Sequence, residues 1–185
     1  MDSMEKTDRR HMRRDRMIAF VLSAVVLFIS ACESEPGIDK AKFAELNRTA
    51  QAIKLAIASS DPCNVPDILE QKLDAGIAAM KDKANSKAER DIVAAYANLL
   101  TILRDGMLLC RSRAHLSNFE FFPKGRIYVS QELDPLVEKY SLSVERHLYE
   151  PTGQYMRSID SNSILIIWDS MRVQIKTIEN MINYS

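Results

Sequence analysis

Residues 86–113 read SKAERDIVAAYANLLTILRDGMLLCRSR, and the fold turns on this stretch. Ser86, followed three positions later by Glu89, forms a capping box. In that arrangement a hydroxyl and a carboxylate satisfy main-chain N–H groups that a helix start leaves unpaired. A helix from Lys87 to the neighbourhood of Arg113 follows. Two adjacent apolar stripes run along it, one through Ile92, Tyr96, Leu99 and Leu103, the other through Val93, Leu100, Met107 and Cys110. One stripe seats a helix on a single neighbour; two imply a central helix covered by two or more.

The flanking sequence supplies those neighbours. From Ile38 to Ser60, Phe43, Leu46, Ala50, Ile53 and Ile57 recur at helical intervals, and Ser59 to Pro62 stop the run. A second helix is expected near Asn64, with Asn64 as cap and Pro66 in the first turn. Leu69, Leu73, Ile77 and Met80 form its apolar face, and Lys83 to Asn85 turn the chain. At the far end, Ile164, Trp168, Met171, Ile175, Ile178 and Ile182 keep a 4-3-4-3-4 spacing in a helix starting near Ser163.

Residues 115–160 differ in kind. They hold Phe119, Phe121, Phe122, Tyr128, Tyr140, Tyr149 and Tyr155, together with Pro123, Gly125 and Gly153. Gly125 to Val129 reads as a short strand or an extended loop. Asp134-Pro135 reads as a cap and first helical residue, opening a helix with Val137, Tyr140, Val144 and Leu148 inward that ends before Pro151. The expected fold is all-α: a four- to five-helix bundle over residues 38–185. An irregular aromatic-rich insertion, with room for short strands, lies between the third helix and the last two.

The first 37 residues are organised differently. Arg9, Arg10, Arg13, Arg14 and Arg16 precede an uncharged run from Met17 to Ser30, and translation from Met12 or Met17 would leave that run intact. A spanning helix needs about 20 apolar residues, so a run this short suits a cleaved signal better than a membrane span. The junction Ile29-Ser30-Ala31-Cys32 resembles the lipobox of bacterial lipoprotein precursors. The resemblance implies that residues 1–31 are a signal peptide and that Cys32 receives a diacylglyceryl group, with further acylation such as palmitate at its amine. Two or three acyl chains anchor stably where one does not. Residues 32–37 are then the lipidated cysteine and a short tether. Glu33 follows Cys32 where an aspartate favours inner-membrane retention in enteric bacteria, so the implied address is the outer membrane, facing the periplasm.

Charge narrows the partners. Six basic and four acidic residues precede Cys32, so the 25 of each sign leave 19 basic and 21 acidic in the mature chain. With no run of Lys or Arg, nucleic acid is not an expected partner. The membrane is expected as a partner through the lipid anchor rather than through adsorption to anionic lipid.

Once Cys32 is lipidated, Cys63 and Cys110 remain. In an exported protein two such cysteines read as a disulfide, the alternative being two buried thiols. Geometry favours the bridge. In an antiparallel hairpin turning near Asn85, Cys63 stands 22 residues before the turn and Cys110 stands 25 after it, which is nearly the same level.

No motif points to catalysis. There is no GxSxG elbow, HExxH, phosphate loop or Gly-rich dinucleotide turn, so no enzyme, cofactor or metal is expected. On a helix, Glu145 and His147 would face apart; His115 and His147 read as packing or surface residues. Glu70 and Asp74 are a like-charged pair at i,i+4. The expected role is an interaction or assembly-accessory protein of a cell-envelope complex, with a protein partner docking on Trp168 or on Phe119, Phe121, Phe122 and Tyr128. The alternative is a ligand-binding module for a small apolar molecule or lipid, lined by Tyr96, Tyr128, Tyr140 and Tyr155.

Overall fold

The computed structural model describes residues 38–116, 124–150 and 152–184. Four long helices carry the core: α1 (Ala44–Ile57), α2 (Asp67–Lys81), α3 (Lys87–Leu116) and α5 (Ile164–Tyr184). A 3-10 turn, Lys40–Phe43, leads into α1. Between α3 and α5 the chain builds a short helix α4 (Asp134–Lys139) and three strands, β1 (Arg126–Tyr128), β2 (Val144–Tyr149) and β3 (Gln154–Asp160). The fold is therefore mostly helical, and all-α is corrected by an antiparallel sheet of order β1-β3-β2.

The stripes land where spacing put them. Leu46, Ala50, Ile53 and Ile57 of α1, with Phe43 before it, are buried, as are Leu73, Ile77 and Met80 of α2. Every member of the α5 stripe is buried, with Ile167 added to it. Helix α3 packs on α2 and α5, and α1 closes the bundle by packing on those same two helices. Helix α2 begins at Asp67 rather than near Asn64. Asp61 takes the Cys63 N–H on its side chain and the Asn64 N–H on its main chain, so residues 61–64 are already spent in a turn.

The α3–α5 seam depends on one missing methyl group. A Cβ on Gly106 would lie 2.3 Å from two carbons of the Trp168 ring. The six-membered part of the ring lies against α3 at Gly106, and only glycine permits that approach. Trp168, expected on a docking surface, is instead fully buried, and Tyr96 lies in the same core stacked on Phe43. At the open end of the α2–α3 hairpin, Cys63 and Cys110 are disulfide-bonded, with Cα atoms 5.5 Å apart. Arg104 of α3 donates to both Glu70 and Asp74 of α2, which turns that like-charged pair into a shared acceptor for one guanidinium.

The hydroxyl half of the capping box closes as read, with Glu89 N–H donating to Ser86 Oγ at 3.1 Å, while the carboxylate half takes the N–H of Asn85, one residue before the cap. The Glu89 carboxylate does more. It accepts from Asn85 N–H at 2.8 Å and pairs with Lys42 Nζ at 2.9 Å, tying the 3-10 turn before α1 to the α2–α3 turn. Hydrogen bonds from Lys42 and then from the Asn85 N–H outweigh the opposing effect of burial and hold its pKa down from 4.5 to about 2.

The helix expected over residues 134–150 is corrected. It ends at Lys139 because Ser141 turns left-handed, at φ 51°. Leu142 N–H then donates to Val137 O and Ser141 N–H to Glu138 O, a Schellman-type stop with Leu142 buried behind it. Val144 and Leu148, read as helical, instead alternate on a strand. The β2–β3 hairpin turns at Gly153, whose φ of +67° suits glycine.

Gly106→Ala should destabilise the fold by about 1–3 kcal/mol, seen as a lower urea midpoint, because an overpacked ring must leave its rotamer. Replacing Cys63 and Cys110 with serine should cost about 2–4 kcal/mol in the same assay. Because the folded pKa of Glu89 is depressed, its contribution is present above about pH 4.5 and lost as pH falls toward 2. Glu89→Gln should therefore remove on the order of 2 kcal/mol at neutral pH and flatten acid unfolding in that window.

Candidate functional site

The sheet is built asymmetrically, and its asymmetry leaves an open lane. Strand β3 pairs with β2 along its length, from Val144 opposite Ile159 to Tyr149 opposite Gln154. Strand β1 covers only the second half of β3, from Arg126 opposite Asp160 to Tyr128 opposite Ser158. Ser161 N–H donates to Gly125 O at 2.8 Å, and Val129 N–H donates to Arg157 O at 2.9 Å. Main-chain groups of alternate β3 residues thus face β1. The next in that series is Tyr155, and β1 has ended before reaching it. Among the described residues no strand lies opposite its N–H and C=O on that side.

A groove of about 310 Å³ occupies this lane, lined by Tyr128, Tyr149, Gln154, Tyr155, Met156 and Arg157 among others. Tyr155 is 72% exposed, and its cross-strand partner Leu148 is 53% exposed. Side chains directly opposite on one sheet face lie within contact reach, so the two form one apolar knob at the hairpin tip. The base of the hairpin is firm. Ile127 and Ile159 are buried in the main core, and β1 packs on α3. Helix α4 bolts the layer down at two points. Arg157 donates to Asp134 at 2.7 Å, and on the other side Tyr140 Oη and Lys139 Nζ donate to Asp105 of α3 at 2.8 and 2.7 Å. Burial first, and the Asp105 hydrogen bond second, push the Tyr140 hydroxyl pKa up, so it stays protonated as a donor.

The open edge of β2 is guarded. It carries exposed Glu145 and Arg146 on its two faces, the kind of charged edge that discourages further pairing. Because β2 is a strand, Glu145 and His147 share a face, contrary to the helical reading. The His147 Nε2 lies 3.7 Å from Glu145, which also pairs with Arg126. No metal-ligating cluster of three or more His, Cys, Asp or Glu residues occurs among the described residues.

The expected site residues are thus dispersed. Tyr128 and Tyr155 share the groove, Tyr140 is a bracket on Asp105, and Tyr96 and Trp168 are core. Of the four tyrosines expected to line one pocket, Tyr128 and Tyr155 do so, and Tyr96 and Tyr140 do not. Phe119, Phe121, Phe122 and Cys32 lie outside the described residues, as does the His115 side chain. Leu148, Tyr149 and Met156 were missed as a surface, since their pairing needed the strand assignment of residues 144–149. Comparison with protein-family models, curated proteins and solved structures finds no match for this chain.

Tyr140→Phe should cost about 1 kcal/mol in urea unfolding, by leaving Asp105 short of one donor. Tyr155→Ala should change stability by less than about 0.5 kcal/mol, because a side chain this exposed leaves no cavity.

Proposed function

We propose that this chain is a lipid-anchored lipoprotein of the bacterial envelope, facing the periplasm from the outer membrane, and that it acts as a non-enzymatic interaction or assembly-accessory protein. The anchor rests on the signal-like start and on the resemblance of Ile29 to Cys32 to a lipobox. The docking role rests on one observation, the half of β3 opposite which no strand lies among the described residues, where an aromatic groove, the main-chain N–H and C=O of Tyr155, and an exposed Leu148–Tyr155 knob coincide.

An extended segment of a partner protein suits this edge. It would add its main chain beside Tyr155 while its side chains fill the spaces around Tyr128 and Met156. Phe119, Phe121 and Phe122 belong to this proposal as a second contact region. A small apolar ligand is the second reading. Its support is the groove volume, which stands at the lower end of ligand-site sizes.

Two results test the proposal. Cys32→Ala should abolish metabolic palmitate labelling and release the protein from membranes. Tyr155→Lys and Leu148→Lys should leave the folded domain's stability within about 0.5 kcal/mol of wild type, yet lower capture of the envelope partner at least roughly tenfold. Undiminished capture by both lysine variants would count against the sheet edge. A small molecule retained through purification and displaced by Tyr155→Lys would favour the second reading.

A further inference from the structure

The lane beside β3 has a blocked end, and the hydrogen bonds left there fix how a guest chain lies in it. Strand β1 stops at Tyr128, opposite Ser158, and the next pair, Val129 with Arg157, is only half made. Val129 N–H donates to Arg157 O at 2.9 Å, but Arg157 N–H makes no return bond to Val129 O and has no main-chain acceptor among the described residues. In a closed antiparallel pair the two residues exchange both bonds. From the hairpin tip toward the block, β3 therefore offers the lane a donor and an acceptor at Tyr155, then a further donor at Arg157. The acceptor that follows, Arg157 O, is already taken.

A strand antiparallel to β3 cannot use that last donor, because it would have to place a carbonyl opposite Arg157, where Val129 sits. A strand parallel to β3 can, since the bonds of a parallel pair are slanted. Consider a guest residue level with Tyr155. The residue before it accepts from Tyr155 N–H. The residue after it donates to Tyr155 O and offers its own carbonyl to Arg157 N–H. There the guest stops, since its next donor would need Arg157 O. A chain end meets this condition without a bend, and a carboxylate accepts more strongly than a neutral carbonyl. The residues lining the groove include the Arg157 guanidinium and no carboxylate. That guanidinium gives one N–H to Asp134, at 2.7 Å, and keeps its others.

We propose that the lane takes the free carboxyl terminus of a partner protein, with its last three residues parallel to β3 and its carboxylate at Arg157. The proposal rests on the reading of this sheet edge as the docking site. Net charge does not select the occupant, because Asp134 offsets Arg157; the main-chain register does. The last and third-last side chains of the guest face the same side as Met156 and Tyr128, so apolar or aromatic residues suit both places. The side chain between them lies beside Tyr155.

The test uses the chain from Cys32 onward, which contains the compact unit Ile38–Ser185. The probe is an array of random hexapeptides fixed by their N-termini, each made with a free carboxylate and as the C-terminal amide. The expected binders end in an apolar residue, and amidation weakens them roughly tenfold to a hundredfold. A soluble free-carboxylate binder should slow hydrogen exchange at the Tyr155 and Arg157 N–H groups at least roughly tenfold. A nitroxide on its N-terminus should broaden the amide signals of Thr152 and Gly153, and not those of Val129 and Ser130. Equal binding of free and amidated peptides, or broadening at Val129 and Ser130, would overturn the proposal. If such peptides still lost affinity in Tyr155→Lys, the edge reading would survive it. An array without any free-carboxylate binder would overturn the proposal too, while partner capture by Tyr155→Lys decides the edge separately.

Discussion

The close approach of Trp168 to the α3 backbone at Gly106 is the constraint on which the remaining structure depends. It brings α5 against the middle of α3 with no side chain between them. Once that spacing is set, α1 and α2 close the bundle around the two stripes of α3. The next residue toward the N-terminus, Asp105, brackets α4 through Tyr140 and Lys139. The sheet layer is thus registered to the same point on α3 that sets the helix spacing. The Trp168 Nε1 and Tyr96 Oη groups find no hydrogen-bond partner among the described residues. The apolar area that the two rings bury offsets that cost.

The helical core was legible because each stripe repeats over several turns and only one period fits it. The capping box at Ser86 and Glu89 and the level pairing of Cys63 with Cys110 were legible for similarly local reasons. Residues 134–149 were not. Val144 and Leu148 satisfy both a helical spacing of four and a strand alternation of two, and the stop that separates them from α4 is a left-handed Ser141. Nothing in a serine announces that conformation, whereas a glycine there would have. Losing this strand also lost the docking edge, since Tyr155 and Leu148 become one surface only through β2–β3 pairing. Trp168 failed as a surface residue for the opposite reason. It belongs to the cleanest apolar stripe in the chain, and its place opposite a glycine on α3 appears only in three dimensions.

Glu89 ties the chain's entry to the α2–α3 turn near the start of α3, and Asp105 holds the sheet layer 16 residues later, about 24 Å along the axis. At the sheet edge, apolar side chains lie beside open main chain, where directional hydrogen bonds confer specificity.

The docking edge is the central claim, and site-specific photocrosslinking in the native host tests it most directly. A photoreactive phenylalanine analogue at position 155 is compared with one at position 55, where leucine is equally exposed on α1. The account predicts one discrete envelope-protein adduct from position 155, absent from position 55 and lost when Leu148→Lys is added. Adducts of equal yield from both positions, or a discrete adduct from position 55 alone, would contradict it.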